Sequence, residues 1–173
     1  MRQWFLIPVA CFAASVSVVL AQGAASAAAT GKVDVQWKCT PPNPMNAVPV
    51  PDSADHAYIV ESFNCTATKG EIGGVKQKSG TATDFMEATG NNAKGHGVFV
   101  ETLANGDKIT YTYTATGVSA NKAMQSGTDK WTAASGTGKF KGIKASGTCT
   151  AKGAADGSVT FDCTGTYTMG AGK

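Results

Sequence analysis

The sequence predicts an all-β domain, a small antiparallel eight-stranded barrel with two disulfides, behind a cleavable leader. Three observations carry this reading. Segments rich in β-branched and aromatic residues recur between turn signals. No stretch offers apolar residues at i, i+3, i+4 and i+7 over three helical turns. Beyond the leader, leucine falls to Leu103 alone, while Gly, Thr, Ser and Ala dominate. About eight strands is the usual count for a small closed barrel.

Residues 1–29 read as a signal peptide. Arg2 supplies a short positive start, an apolar run extends from Trp4 to Leu20, and small residues at Ala25, Ala27 and Ala29 offer a cleavage site after Ala27 or Ala29. Pro8, Ser15 and Ser17 interrupt the run, which falls short of the ~20 apolar residues a membrane span needs. Cys11 sits inside this run after a poor lipobox, Ile7-Pro8-Val9-Ala10, and leaves with the leader. The expected location is secreted or periplasmic, with no membrane attachment after cleavage. Residues 30–173 then form one domain, since about 145 residues suffice for one core and not for two.

The elements follow in order. Val33 to Thr40 is the first strand. Residues 40–57 hold Pro41, Pro42, Pro44, Pro49 and Pro51, so they are expected to form a long loop, with a lid over the barrel mouth as its functional alternative. Strands are expected at Tyr58 to Lys69, Val75 to Ala88, Gly95 to Leu103, Lys108 to Val118, Ala123 to Ala134, Phe140 to Lys152 and Ser158 to Met169. Asn105-Gly106 suits a two-residue type I′ turn. It would set Val100 opposite Tyr111, Val98 opposite Tyr113 and Thr102 opposite Ile109 as a core face. Thr110, Thr112 and Thr114, with Phe99 and Glu101, would then face water. A second turn near Asp156-Gly157 places Cys149 almost opposite Cys163.

Four cysteines remain beyond the leader, an even number in an exported chain, which favours two disulfides. Of the three possible pairings, Cys39–Cys65 and Cys149–Cys163 join neighbouring strands. No Cys-x-x-Cys spacing supports zinc or redox chemistry, and no metal or cofactor is expected. The formal charge of +3 drops to about +2 without Arg2, and every remaining basic residue is a scattered lysine. Without arginine beyond the leader, the domain lacks the usual tool for bidentate phosphate or guanine recognition, and nucleic acid is not expected as a partner.

Residues 127–148 read GTDKWTAASGTGKFKGIKASGT. The block around Gly136, Thr137, Gly138, Phe140, Gly142 and Gly147 resembles the late strands of the allene oxide cyclase and dirigent barrels. The resemblance implies an eight-stranded antiparallel barrel with an apolar cavity, in a superfamily whose plant members guide reactive hydrophobic intermediates by confinement. It covers about a fifth of the domain and carries over no catalytic residue. Glycines in such a barrel permit close backbone approach, while Trp131 and Phe140 supply bulk. A lipocalin reading drops behind, because Gly31 and Trp37 do not form the Gly-x-Trp signature.

Candidate chemistry is sparse. His56 follows Asp52 and Asp55, and a carboxylate there would raise its pKa; His96 lies between Gly95 and Gly97. Glu61, Asp84, Glu87 and Glu101 fall in strands. Alternation turns most such charges to solvent, while Val100 and Leu103 make burial of Glu101 conceivable, where it would serve as an acid or base. His96 and Glu101 are thus the candidate catalytic residues. Gly-x-Ser-x-Gly and Walker motifs are absent, and Asn64-Cys65-Thr66 fits a glycosylation pattern that overlaps a disulfide cysteine. Trp37, Phe63, Phe99, Tyr111, Tyr113, Trp131 and Phe140 are the expected core or ligand-lining residues. The functional expectation is an exported barrel that binds a small apolar or amphipathic molecule without catalysis. The alternatives are an allene oxide cyclase-like isomerase, and an envelope interaction protein working through its exposed threonine and lysine face.

Overall fold

A computed structural model describes residues 29–120 and 123–170 of the chain. The leader lies outside the described residues, apart from its last position. Ten strands form one antiparallel sheet: β1 Thr30–Cys39, β2 Met45–Pro49, β3 His56–Lys69, β4 Glu71–Ile72, β5 Val75–Thr89, β6 Asn92–Leu103, β7 Lys108–Ala120, β8 Ala123–Gly136, β9 Lys144–Gly153 and β10 Val159–Thr168. Eight of them close into a barrel in the order β1-β10-β9-β8-β7-β6-β5-β3, because β3 pairs with β5 on one edge and with β1 on the other. The expected class and strand number hold.

Both cysteine pairings hold as well. Cys39–Cys65 and Cys149–Cys163 are bridged, and each pair lies directly opposite in register, across β1–β3 and β9–β10. The Asp156-Gly157 hairpin therefore has the expected alignment.

The other hairpin does not. Phe99 lies opposite Tyr111, Gly97 opposite Tyr113 and Glu101 opposite Ile109, one residue away from the two-residue-turn register. The loop is longer: Gly106 N–H donates to Leu103 O at 3.0 Å, Leu103 N–H donates to Asp107 O at 2.9 Å, and Gly106 alone takes positive φ, at 88°. This is a type I turn with a glycine bulge, held by Asn105 and Asp107 bonding one another. Because side chains alternate with period two, the single-residue slip turns Phe99 and Glu101 inward and Val98 and Val100 outward. The threonines stay on the outer face with the valines.

The proline-rich segment is not loop throughout. Thr40 and Asn43 N–H donate to the carbonyls of Asn64 and Ser62, Ser62 N–H donates to Pro44 O, and β2 then pairs along β3 from Met45–Glu61 to Pro49–Ala57. In effect β1 and β2 are one line of chain along the edge of β3, interrupted at Pro41 and Pro42. Proline is tolerated there because, among the described residues, no further strand pairs with the other edge of β2. Phe140 also departs from expectation, sitting in a 3₁₀ turn, Gly138–Phe140, before β9 begins.

The strand faces divide the molecule. One end of the barrel is plugged by Ile72, Leu103, Ile109, Phe140, Ile143 and Met169, all buried. Above them lies an aromatic layer in which Trp37 meets Phe99 edge-on at 5.0 Å and Tyr111 meets Trp131 at 5.5 Å. Glycines on neighbouring strands make room for these rings. A methyl group on Gly165 would stand 2.7 Å from the Trp131 ring.

Candidate functional site

Beyond the aromatic layer the lumen changes character. Inward-facing positions of β3, β5, β7 and β8 bring Glu61, Asp84, Tyr113 and Asp129 together. Glu61 is directly opposite Asp84, Asp84 opposite Gly97, and Gly97 opposite Tyr113, so one row crosses four strands. Gly97 is the gap that lets the row function. The Tyr113 hydroxyl donates to Asp84 Oδ1 across it, where a Cβ would stand 2.5 Å from both the Asp84 oxygen and the Tyr113 ring.

Burial sets the electrostatics. Desolvation pushes Asp84 up to about 6 against the Tyr113 hydrogen bond, which acts the other way. Desolvation, with the Asp84 charge added, pushes Glu61 and Asp129 each up to about 7. The Tyr113 hydroxyl moves upward too, by burial and by the carboxylates around it. Among the described residues every lysine is exposed and there is no arginine, so neither residue type balances them. Carboxyls in such a place hold protons near neutrality, and each proton is then a hydrogen-bond donor.

Glu101 forms a second, deeper acid. It is fully buried, accepts from the Tyr111 hydroxyl at 2.9 Å, and is pushed by desolvation up to about 7. Its second oxygen, the Gln77 side-chain oxygen and the Trp131 indole nitrogen have no hydrogen-bond partner among the described residues. Glu101 lies in the packed interior with Leu103 and Ile109, whereas Glu61, Tyr113 and Asp129 are only partly buried.

The expected site residues separate by depth. Phe140 belongs to the plug, and Trp37, Phe99, Tyr111 and Trp131 form the aromatic layer. Phe63 stacks on Phe161 at 6.3 Å, half-buried, and Tyr113 joins the acid cluster. His96 lies on the outer face: it is exposed and stacks on Phe85 at 5.7 Å, because alternation along β6 points it away from its neighbours Gly95 and Gly97. Glu87 also faces out, bridging His56 and Lys94. Asp129 was missed. Its signal was its place two residues before Trp131, on the same face of a strand whose other face carries Thr128, Lys130 and Thr132.

A separate hollow of about 640 Å³ crosses the outer face at the far ends of β5 to β8. Most of its side chains, among them Glu87, Lys94, Thr116 and Thr128, are those that alternation turns away from the lumen.

No protein-family model matches this chain, and no curated protein sequence is similar to it at a significant level. Among solved structures the chain is similar to a dirigent protein, a pterocarpan synthase, with a TM-score of 0.50 and 12% sequence identity, covering 92% of this chain and 99% of that one. The fold is thus the eight-stranded barrel of the allene oxide cyclase and dirigent type.

Proposed function

We propose that the protein is an exported binding barrel that takes a small amphipathic molecule at the end of its lumen where the inward-facing side chains are only partly buried. The observation that carries this is the division of the interior. One end is closed by buried aliphatic side chains, while the other presents partly buried Phe63, Phe161, Ile59 and Met86 beside the Glu61, Asp84, Tyr113 and Asp129 cluster. Apolar walls with a few convergent polar groups are the usual make-up of a small-molecule site. The two disulfides support export to an oxidising compartment.

Native mass spectrometry of the protein recovered from an exporting host tests this. A co-purifying mass released on gentle activation is the expected result, as is quenching of tryptophan fluorescence by N-phenyl-1-naphthylamine. A bare monomer with no quenching would overturn it. The raised pKa values of Glu61, Asp84 and Asp129 favour one second reading, an isomerase or cyclase with a protonated carboxyl as general acid. Conversion of a captured ligand by the wild type, lost in Asp84→Asn, would select it over simple binding.

A further inference from the structure

Outside the lumen, one histidine is held by two carboxylates from different parts of the chain. His56 begins β3, and its side chain is only 12% exposed. Its Nδ1 lies 2.8 and 2.9 Å from the two oxygens of Asp52, in the turn after β2. Its Nε2 lies 3.2 Å from Glu87 Oε1 on β5, and the other Glu87 oxygen is 3.2 Å from Lys94 Nζ on β6. The Tyr58 ring lies 5.6 Å from the imidazole, and Asp55 is engaged by the Ser53 hydroxyl instead.

Both ring nitrogens therefore face acceptors. A neutral imidazole carries one N–H and could satisfy only one of them, setting a lone pair against the other carboxylate; the imidazolium donates to both. Asp52 belongs to the strap made by β2 and the turn that follows it, and Glu87 belongs to the barrel wall. β2 is attached to the barrel along β3, with no strand among the described residues on its other edge. We propose that His56 is a protonation-dependent latch that fastens this strap, residues 45–55, to the rim of the barrel.

The pH window follows from the two shifts. The Asp52 hydrogen bond raises the pKa of His56 above its ordinary value, so the fastening is complete below that value and is lost as pH rises through the raised one. Glu87 is lowered, first by Lys94, so its side of the bridge is present above the ordinary glutamate value and is lost only as pH falls through the lowered one. The latch is closed in between and opens toward alkaline pH.

Amide hydrogen exchange with an NMR titration of His56, in the absence of any ligand, tests this independently of the binding reading. The reporters are Val50 N–H, which donates to His56 O at 2.9 Å, and Gly90 N–H, which donates to Asp55 O at 3.1 Å. Corrected for intrinsic exchange, their opening should rise about two- to tenfold from about pH 6 to about pH 9, as loss of one partly exposed hydrogen bond implies. Thr137 N–H at the opposite end should not change. In His56→Gln the rise should vanish. A His56 pKa at or below the ordinary value, or the same rise in His56→Gln, would overturn the latch. If that variant fails to fold, Glu87→Gln decides: it must lower the His56 pKa, and an unchanged value refutes the proposal.

Discussion

At the scale of single residues, the lumen depends on where side chains are missing. Gly97 has Asp84 on one neighbouring strand and Tyr113 on the other, and their hydrogen bond passes over it. Gly97→Ala would place a methyl group 2.5 Å from both partners. Urea unfolding should show a loss of about 1–3 kcal/mol, the usual cost of overpacking. Tyr113→Phe has a different expected signature. It removes the hydrogen bond that opposes desolvation, so the Asp84 pKa should climb above its value of about 6, read from carboxyl chemical shifts through a titration. The presence of these acids was legible, since Glu61, Asp84 and Glu101 stand in recognisable strands. Their direction was not: an inward carboxylate and an outward one look alike in a sequence that alternates threonine with small residues.

At the scale of elements, each disulfide joins directly opposed residues of adjacent strands. Cys149–Cys163 spans 14 residues of sequence and Cys39–Cys65 spans 26. By loop-closure entropy their removal should cost about 3 and about 3.5 kcal/mol. Paired cysteine-to-alanine variants, unfolded in urea, check this, with Cys39/Cys65 the more damaging because it also pins β1 to β3 at barrel closure. The two hairpins show how far local signals reach. Both loops close with the same glycine-bulge turn, at Gly106 and Gly157. The Asp156-Gly157 alignment was legible because a turn centred near Asp156 already sets Cys149 opposite Cys163. Asn105-Gly106 misled by one residue because Asp107, bonded to Asn105, lengthens the loop.

For the whole molecule, charge is sorted by the barrel wall. Glu61, Asp84, Glu101 and Asp129 face in, and the described lysines are exposed. The four carboxyls are pushed up to between about 6 and about 7, chiefly by burial, so the folded state binds protons more tightly than the unfolded chain. The sign is therefore opposite to that of salt-bridged acids. Stability should fall as pH rises from the ordinary carboxylate range through neutrality, by up to about 1.4 kcal/mol per pH unit for each group. Urea midpoints should be lower at about pH 8 than at about pH 5, and Glu101→Gln should flatten the difference. Equal midpoints at the two pH values would show that the acids ionise freely inside the fold.

The sequence by itself determined the all-β class, eight barrel strands, the two disulfides and the outward threonine face. Each rests on local information: strand composition, turn residues, cysteine spacing and period-two alternation. Only the tertiary structure decided that Phe99 and Glu101 face the lumen, that proline-rich chain continues β1 along β3 as β2, and that Asp129 joins Glu61 and Asp84 around Tyr113. Those facts depend on barrel register, which a single bulged turn shifts by one residue, and on closure, which brings together strands far apart in the chain.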